Sequence, residues 1–237
     1  MLTFLGRGSA FANEQNTAFF RCGDELILLD CAMSAFHKIR KTNLLAGVKK
    51  VTVLVTHTHS DHVGGIPMLI HYVCYLTDIP YVRVAAPDEI IKQYLQTLIG
   101  EMDGCDPTAY KLVLTGELHE EWFVQAVPTV HVGGKLEGHC YGYQLCIGGN
   151  NVVYTGDTAT LENFLPLVTP GSCFYMEAAV NDAGVHISVC SVLDVITKLC
   201  GDGVHVYLMH LDNARKIAAM TRKTGAKLAP LLMKLAK

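Results

Sequence analysis

Val51-Thr52-Val53-Leu54-Val55-Thr56-His57-Thr58-His59-Ser60-Asp61-His62 is a short β-branched run that ends in a cluster of metal-ligating side chains. Its first five residues are cut off by polar ones, the pattern of a buried strand. His57 and His59 stand two apart and point the same way if the chain stays extended. Asp61 and His62, on a turn into the next helix, face elsewhere, so one segment can furnish two metal positions. Imidazole and carboxylate together suit zinc, manganese or iron. Gly64-Gly65 follows and permits a tight turn with close backbone packing. A histidine-rich surface turn is the plain alternative. Three histidines beside an aspartate, directly after a buried-type strand, favour the metal.

The same punctuation recurs along the chain. Residues 26–29 run into Asp30, and residues 122–127 lead through Pro128 to His131. Residues 152–154 run into Asp157, and residues 204–209 into His210. Each run is short, β-branched or aromatic, and bounded by a turn, which favours strands. Helical patterns lie between them. Ile90, Ile91, Tyr94, Leu95 and Leu98 mark one face over residues 88–99. Residues 188–199 and 214–220 look similar, and residues 64–75 open a helix. Interleaved strands and helices define an α/β class. The expected architecture is a two-sheet sandwich flanked by helices, forming one domain over residues 1–237. In such folds the loops at the C-terminal strand ends converge on the ligand. Asp30, His57, His59, Asp61, His62, His131, Asp157 and His210 all fall there.

Half of the 237 residues are apolar, enough for a substantial core. A net charge of −3 excludes a chain that grips nucleic acid by electrostatics alone, though not a local basic patch. The nine cysteines are odd in number and contain no C-x-x-C pair, so reduced, mostly buried thiols are expected. The opening residues lack a basic segment followed by a long apolar run. No apolar stretch approaches the roughly 20 residues that span a bilayer. A cytoplasmic protein without membrane contact is expected.

The histidine segment resembles the metallo-β-lactamase-fold superfamily, whose hallmark is H-x-H-x-D-H after a strand. The resemblance runs from Met1 to about Ala214. Phe4-Leu5-Gly6-Arg7-Gly8-Ser9-Ala10 with Asn16 resembles the opening of the ribonuclease Z-like branch and its small phosphodiesterase relatives. Asp30 after Leu28-Leu29, Thr155-Gly156-Asp157-Thr158, Glu177-Ala178, His186-Ile187-Ser188 and Met209-His210-Leu211 match further elements of that branch. The resemblance implies a four-layer αββα sandwich with a dinuclear site of two divalent transition-metal ions, zinc first, manganese or iron as alternatives. His57, His59 and His131 would hold one ion, and Asp61, His62 and His210 the other. Asp157 would bridge them, and Asp30 would orient a histidine from behind. Asp61, besides ligating, and His186 are the catalytic candidates. The bland readings are a turn aspartate for Asp157, a core histidine for His210, and a helix-start histidine capped by Ser188 for His186. The family places a Gly-Tyr pair soon after the third-motif histidine, whereas Gly142-Tyr143 follows His131 by eleven residues and His139 by three. Either residues 133–138 are an insertion or His139 has a role. His37, His71, His119 and His205 stand in no comparable context and read as structural or exposed.

The resemblance also ranks reactions. A hydroxide shared by two ions suits phosphodiesters, lactones, thioesters and lactams. His186 as a leaving-group acid, with the Gly6-Arg7-Gly8-Ser9 opening, favours a phosphodiesterase acting on a small cyclic or nucleotide-type diester. Lactone or thioester hydrolysis is the alternative, although Thr129-Val130-His131 departs from the Gly-His-Thr of those enzymes. A metal-binding sensor or interaction module is the non-enzyme alternative. Stable tRNA binding is not expected, since only 25 residues separate His131 from Asp157 and leave no room for a gripping arm. A homodimer is left open.

Overall fold

Parallel strands buried on both faces must be apolar along their whole length, and that is where the unbroken apolar runs of this sequence fall. The computed structural model describes residues 1–181 and 183–232, so the other residues of the expected 1–237 domain lie outside it. The described chain forms two compact units, each built on its own six-stranded sheet.

The first unit spans Leu2–Leu118 with residues 230–232. Its strands are β1 (Thr3–Gly6), β2 (Thr17–Cys22), β3 (Glu25–Leu29), β4 (Lys50–Leu54), β5 (Val82–Ala86) and β6 (Tyr110–Leu114), in that order across the sheet. β1, β2 and β3 pair antiparallel, and β3 to β6 pair parallel. Helices α1 (Met33–Lys41), α2 (Ser60–Val63), α3 (Ile66–Leu76) and α4 (Glu89–Gln96) connect them. Leu29 pairs with Leu54, so β3 and β4 end side by side and release Asp30 and Thr56 at the same edge.

The second unit comprises Met1 and His119–Ala229. Its sheet runs β7 (Phe123–Pro128), β8 (Tyr141–Ile147), β9 (Asn150–Tyr154), β10 (Cys173–Glu177), β11 (His205–Met209), β12 (Lys227–Leu228). β9 to β12 are parallel, with α5 (Leu193–Gly201) and α6 (Ala214–Thr221) as connections. Pro128 ends β7, an edge strand, where its missing N–H costs no ladder bond. Phe164, Phe174, Met176, Ile196, Leu208 and Ile217 form the core of this unit.

The expected strands are present, and the helix boundaries shift for local reasons. α3 begins two residues later than its apolar pattern, because Gly64 and Gly65 make a close turn. A Cβ on Gly65 would strike the Ala32 carbonyl, and one on Gly64 would lie 2.5 Å from the Ser60 oxygen. α4 starts on the Asp88 cap and passes into a π-helix at Thr97–Met102. α5 begins at Leu193, after a 3-10 turn at Val189–Val192. All nine cysteines are free thiols, but only four are buried: Cys31, Cys105, Cys140 and Cys173. The expectation that most would be buried is corrected, since Cys22, Cys74 and Cys190 sit on outward-facing positions. Among the described residues no helix is long and apolar enough to cross a membrane.

Candidate metal centre

In the first unit the histidine segment leaves β4 and is held from behind by Asp30. This aspartate follows β3 with φ 62°, a left-handed conformation that turns its carboxylate toward the β4 end. Asp30 Oδ1 accepts the Thr56 N–H at 2.8 Å, and Oδ2 accepts from the Thr56 hydroxyl at 2.9 Å and from His62 Nδ1 at 2.8 Å. Burial pushes the Asp30 carboxyl upward, against the pull of His62 and Thr56. The Thr56 hydroxyl spends its hydrogen on Asp30 and so accepts from His57 Nδ1 at 3.0 Å. One buried carboxylate therefore fixes the tautomer of both histidines and leaves each Nε2 as the lone-pair nitrogen. His57 Nε2 stands 2.9 Å from His59 Nδ1, and His62 Nε2 stands 3.4 Å from Asp61 Oδ2. Cys31 N–H donates to the His62 carbonyl at 2.7 Å and Gly65 N–H to the Cys31 carbonyl at 2.8 Å, which pins the turn.

In the second unit the residues converge at the C-terminal ends of β7, β9, β10 and β11. His131 Nδ1 donates to the Val185 carbonyl at 2.8 Å, so its Nε2 presents a lone pair, 3.7 Å from Asp157 Oδ2. His210, at φ 50°, puts its Nε2 3.3 Å from the same oxygen. Glu177, fully buried at the end of β10, accepts from the Thr158 N–H through Oε1. Its Oε2 accepts from His186 Nδ1 at 2.6 Å and lies 3.6 Å from His210 Nδ1. The His186 ring stands between two others, 4.8 Å from His131 and 5.2 Å from His210 between centroids. Burial opposes charge on His186, but the hydrogen bond and charge of Glu177, aided by Asp157, outweigh it and raise its pKa.

The donor set of each half fits a cation. Two lone-pair atoms that face each other attract only through something positive between them. Ligands at about 2.0–2.2 Å from a tetrahedral ion sit roughly 3.3–3.5 Å apart. The separations of 3.3, 3.4 and 3.7 Å between imidazole nitrogen and carboxylate oxygen lie near that edge length.

Each half brings together the residues expected of it: His57, His59, Asp61, His62 and Asp30 in the first unit, His131, Asp157, His210 and His186 in the second. His139 follows a 3-10 turn at Gly134–Leu136 and belongs to no ion-sized cluster of ligating side chains among the described residues. Ser188 makes no side-chain cap to the turn that follows it, so the cap in the bland reading of His186 is absent. Glu177 is the residue whose role sequence reasoning missed. It stood in a branch motif, but nothing in its neighbours marks a carboxylate buried against His186.

Asp30→Asn tests the orienting role. Asn tolerates the left-handed backbone and can keep the Thr56 N–H bond, but an amide NH₂ facing His62 forces the other tautomer. His62 then carries hydrogen on the nitrogen that should ligate. Affinity for one ion is expected to fall about 10–100-fold with the fold intact. Calorimetric metal titration checks this, and unchanged affinity rules the role out.

Anti-Pycsar protein Apyc1 of Paenibacillus xerothermodurans is 27% identical to this chain over 235 residues, covering 90% of this chain and 88% of that protein. The metallo-β-lactamase fold protein YhfI from Bacillus subtilis matches the structure with TM-score 0.73 at 20% identity, over 98% of this chain and 97% of its own. The short form of human tRNase Z (ELAC1) matches with TM-score 0.71 at 19% identity, over the same shares of each chain. The fold is therefore the metallo-β-lactamase fold, in the α/β class read from the sequence. A family described as Anti-Pycsar protein Apyc1 matches residues 1–228, and the chain belongs to that family.

Proposed function

We propose that this protein is a metal-dependent phosphodiesterase that opens a cyclic nucleotide to the nucleoside monophosphate, the whole chain working as one hydrolase domain. Membership of the Apyc1 family supports the cyclic-nucleotide substrate. The observation that carries the leaving-group chemistry is the His186–Glu177 pair, 2.6 Å apart beside His210 and Asp157. A thiolate departs without help, whereas a ribose alkoxide needs a proton, so a built-in donor favours an alkoxide leaving group.

The motif resemblance supports a ligand set. His57, His59 and His131 would hold one divalent ion, Asp61, His62 and His210 would hold the other, and Asp157 would be shared between them. Five imidazoles and two carboxylates suit zinc best, with manganese and iron accepting the same set. When bound, such a pair lowers the pKa of water to near neutral and offsets charge on the phosphoryl oxygens. The protein's own contribution is positional. Asp30 and Thr56 hold His57 and His62 with Nε2 forward, and the Val185 carbonyl does the same for His131. Glu177 occupies His186 Nδ1, which leaves Nε2–H as the transferable proton. As water oxygen joins phosphorus and the ring P–O bond breaks, that proton goes to the departing ribose oxygen. His186 regains one from the water consumed. A tRNA substrate is not part of this reading.

Two measurements test it. Metal-reconstituted protein offered cyclic nucleotides, aryl phosphodiesters, lactones and thioesters should hydrolyse the phosphodiesters and release nucleoside monophosphate. Turnover of lactones or thioesters alone, or metal binding with no turnover, overturns it. For the third motif, His131→Ala should lose an ion while His139→Ala keeps its metal content. The opposite pattern by elemental analysis moves the ligand to His139.

A further inference from the structure

A second set of ligating side chains lies within the first unit, apart from the residues assigned above. α3 carries His71. The chain returns to it after the π-helical segment Thr97–Met102 with Asp103 and Cys105. His71 Nε2 lies 2.8 Å from Asp103 Oδ2. Cys105 Sγ lies 3.7 Å from that nitrogen and 3.6 Å from that oxygen. π-Helical turns are rare and recur at functional sites, and this one sets two of the three groups. The Asp103 N–H bonds to the Leu98 carbonyl at 3.1 Å, and the Cys105 N–H to the Ile99 carbonyl at 3.0 Å. Gly104 between them adopts φ 68°, the left-handed turn that lets both neighbours face His71.

We propose that His71, Asp103 and Cys105 bind one transition-metal ion of the zinc class, a third site separate from the dinuclear centre. Sulfur at about 2.3 Å and nitrogen or oxygen at about 2.0–2.1 Å from a tetrahedral ion stand roughly 3.5 Å apart. Two of the three edges already have nearly that length. The His71–Asp103 edge must open by about half an ångström, exchanging a hydrogen bond for two metal bonds, with the ring hydrogen passing from Nε2 to Nδ1 through solvent. Without a cation the Cys105 thiol is unfavourably placed to ionise. Burial pushes its pKa up to about 12, and the hydrogen bond and charge of Asp103 and the charge of Cys74 add to that. A divalent ion reverses the balance, and the thiol releases its proton to solvent on binding. Cys105 is buried and His71 half-buried, so the ion would tie α3 to the segment after the π-helix. The sequence reading of His71 as merely structural or exposed overlooked this because its partners lie 32 and 34 residues away.

Cobalt(II) titration of the metal-free full chain tests the site. The ligands assigned to the dinuclear centre are all nitrogen and oxygen, so a thiolate-to-cobalt charge-transfer absorption in the near ultraviolet would not come from that centre. The wild type should develop that band and bind three ions per chain at saturation. Cys105→Ser and His71→Ala should abolish it while retaining two ions and full phosphodiesterase activity. His71→Ala, at a half-buried position, covers the case in which the buried serine variant folds poorly. Asp157→Ala should lose activity and keep the band, which separates failure of this site from failure of the proposed function. Absence of the band in wild type under excess cobalt overturns the proposal. So does a band that survives Cys105→Ser, since it would come from another of the nine cysteines.

Discussion

Asp157→Ala protein is expected to bind one metal ion fewer than the wild type and to hydrolyse cyclic nucleotide at least about 10³-fold more slowly. Of the seven ligands in the proposed set only Asp61 and Asp157 carry charge, and Asp157 would be the one shared by both ions. Removing it would leave Asp61 as the one carboxylate of the proposed set to offset the charge of two divalent cations. Within its own unit Asp157 Oδ2 lies 3.3 and 3.7 Å from the Nε2 atoms of His210 and His131. Both histidines therefore lose the anionic partner that completes their ion. A loss of several kcal/mol of electrostatic stabilisation corresponds to three or more powers of ten in rate. Elemental analysis after dialysis, paired with cyclic-nucleotide turnover, checks both parts. Wild-type turnover with full metal content would falsify the bridge, and Asp157 would then be an ordinary turn aspartate.

Most of this centre was legible because its signals are local. The 57–62 segment packs its ligands into six residues after one strand, and β-branched runs with polar ends marked β3, β4, β7, β9 and β11. What escaped notice depends on the third dimension. α1 begins at an Ala32 cap with no side-chain hydrogen bond and no acidic first turn, so no start signal announces it. The π-helix at Thr97–Met102 continues an apolar helical pattern, and only its backbone bonding distinguishes it. The left-handed conformations of Asp30 and His210 follow from where the strands stop, not from residue type. Glu177 and His186 meet across a loop secured by an Ala179–Ser188 bridge, a pairing that no periodicity reports.

His186→Ala should keep both ions and the fold yet lose about 10²–10⁴-fold in rate on cyclic nucleotides, the usual contribution of a general acid. The loss should follow the leaving group. Nitrophenolate is a stable anion and departs with little protonation, so an activated aryl diester should be only mildly affected. A ribose alkoxide is strongly basic, so the natural type of substrate should be crippled. pH adds a second signature. The acid acts when protonated, and Glu177 with Asp157 raises the His186 pKa above its ordinary value despite burial. Wild-type turnover of alkyl diesters should therefore fall as pH rises through that elevated pKa. The alanine variant should lack this alkaline fall. Glu177→Gln should move the fall to lower pH, because a neutral amide no longer supports the imidazolium. Gln has one acceptor where Glu177 has two, so keeping the bond to His186 Nδ1 gives up the one from the Thr158 N–H. Equal loss on aryl and alkyl diesters, with metals retained and the alkaline limb unchanged, removes His186 from the acid role. It would then be a residue that positions substrate.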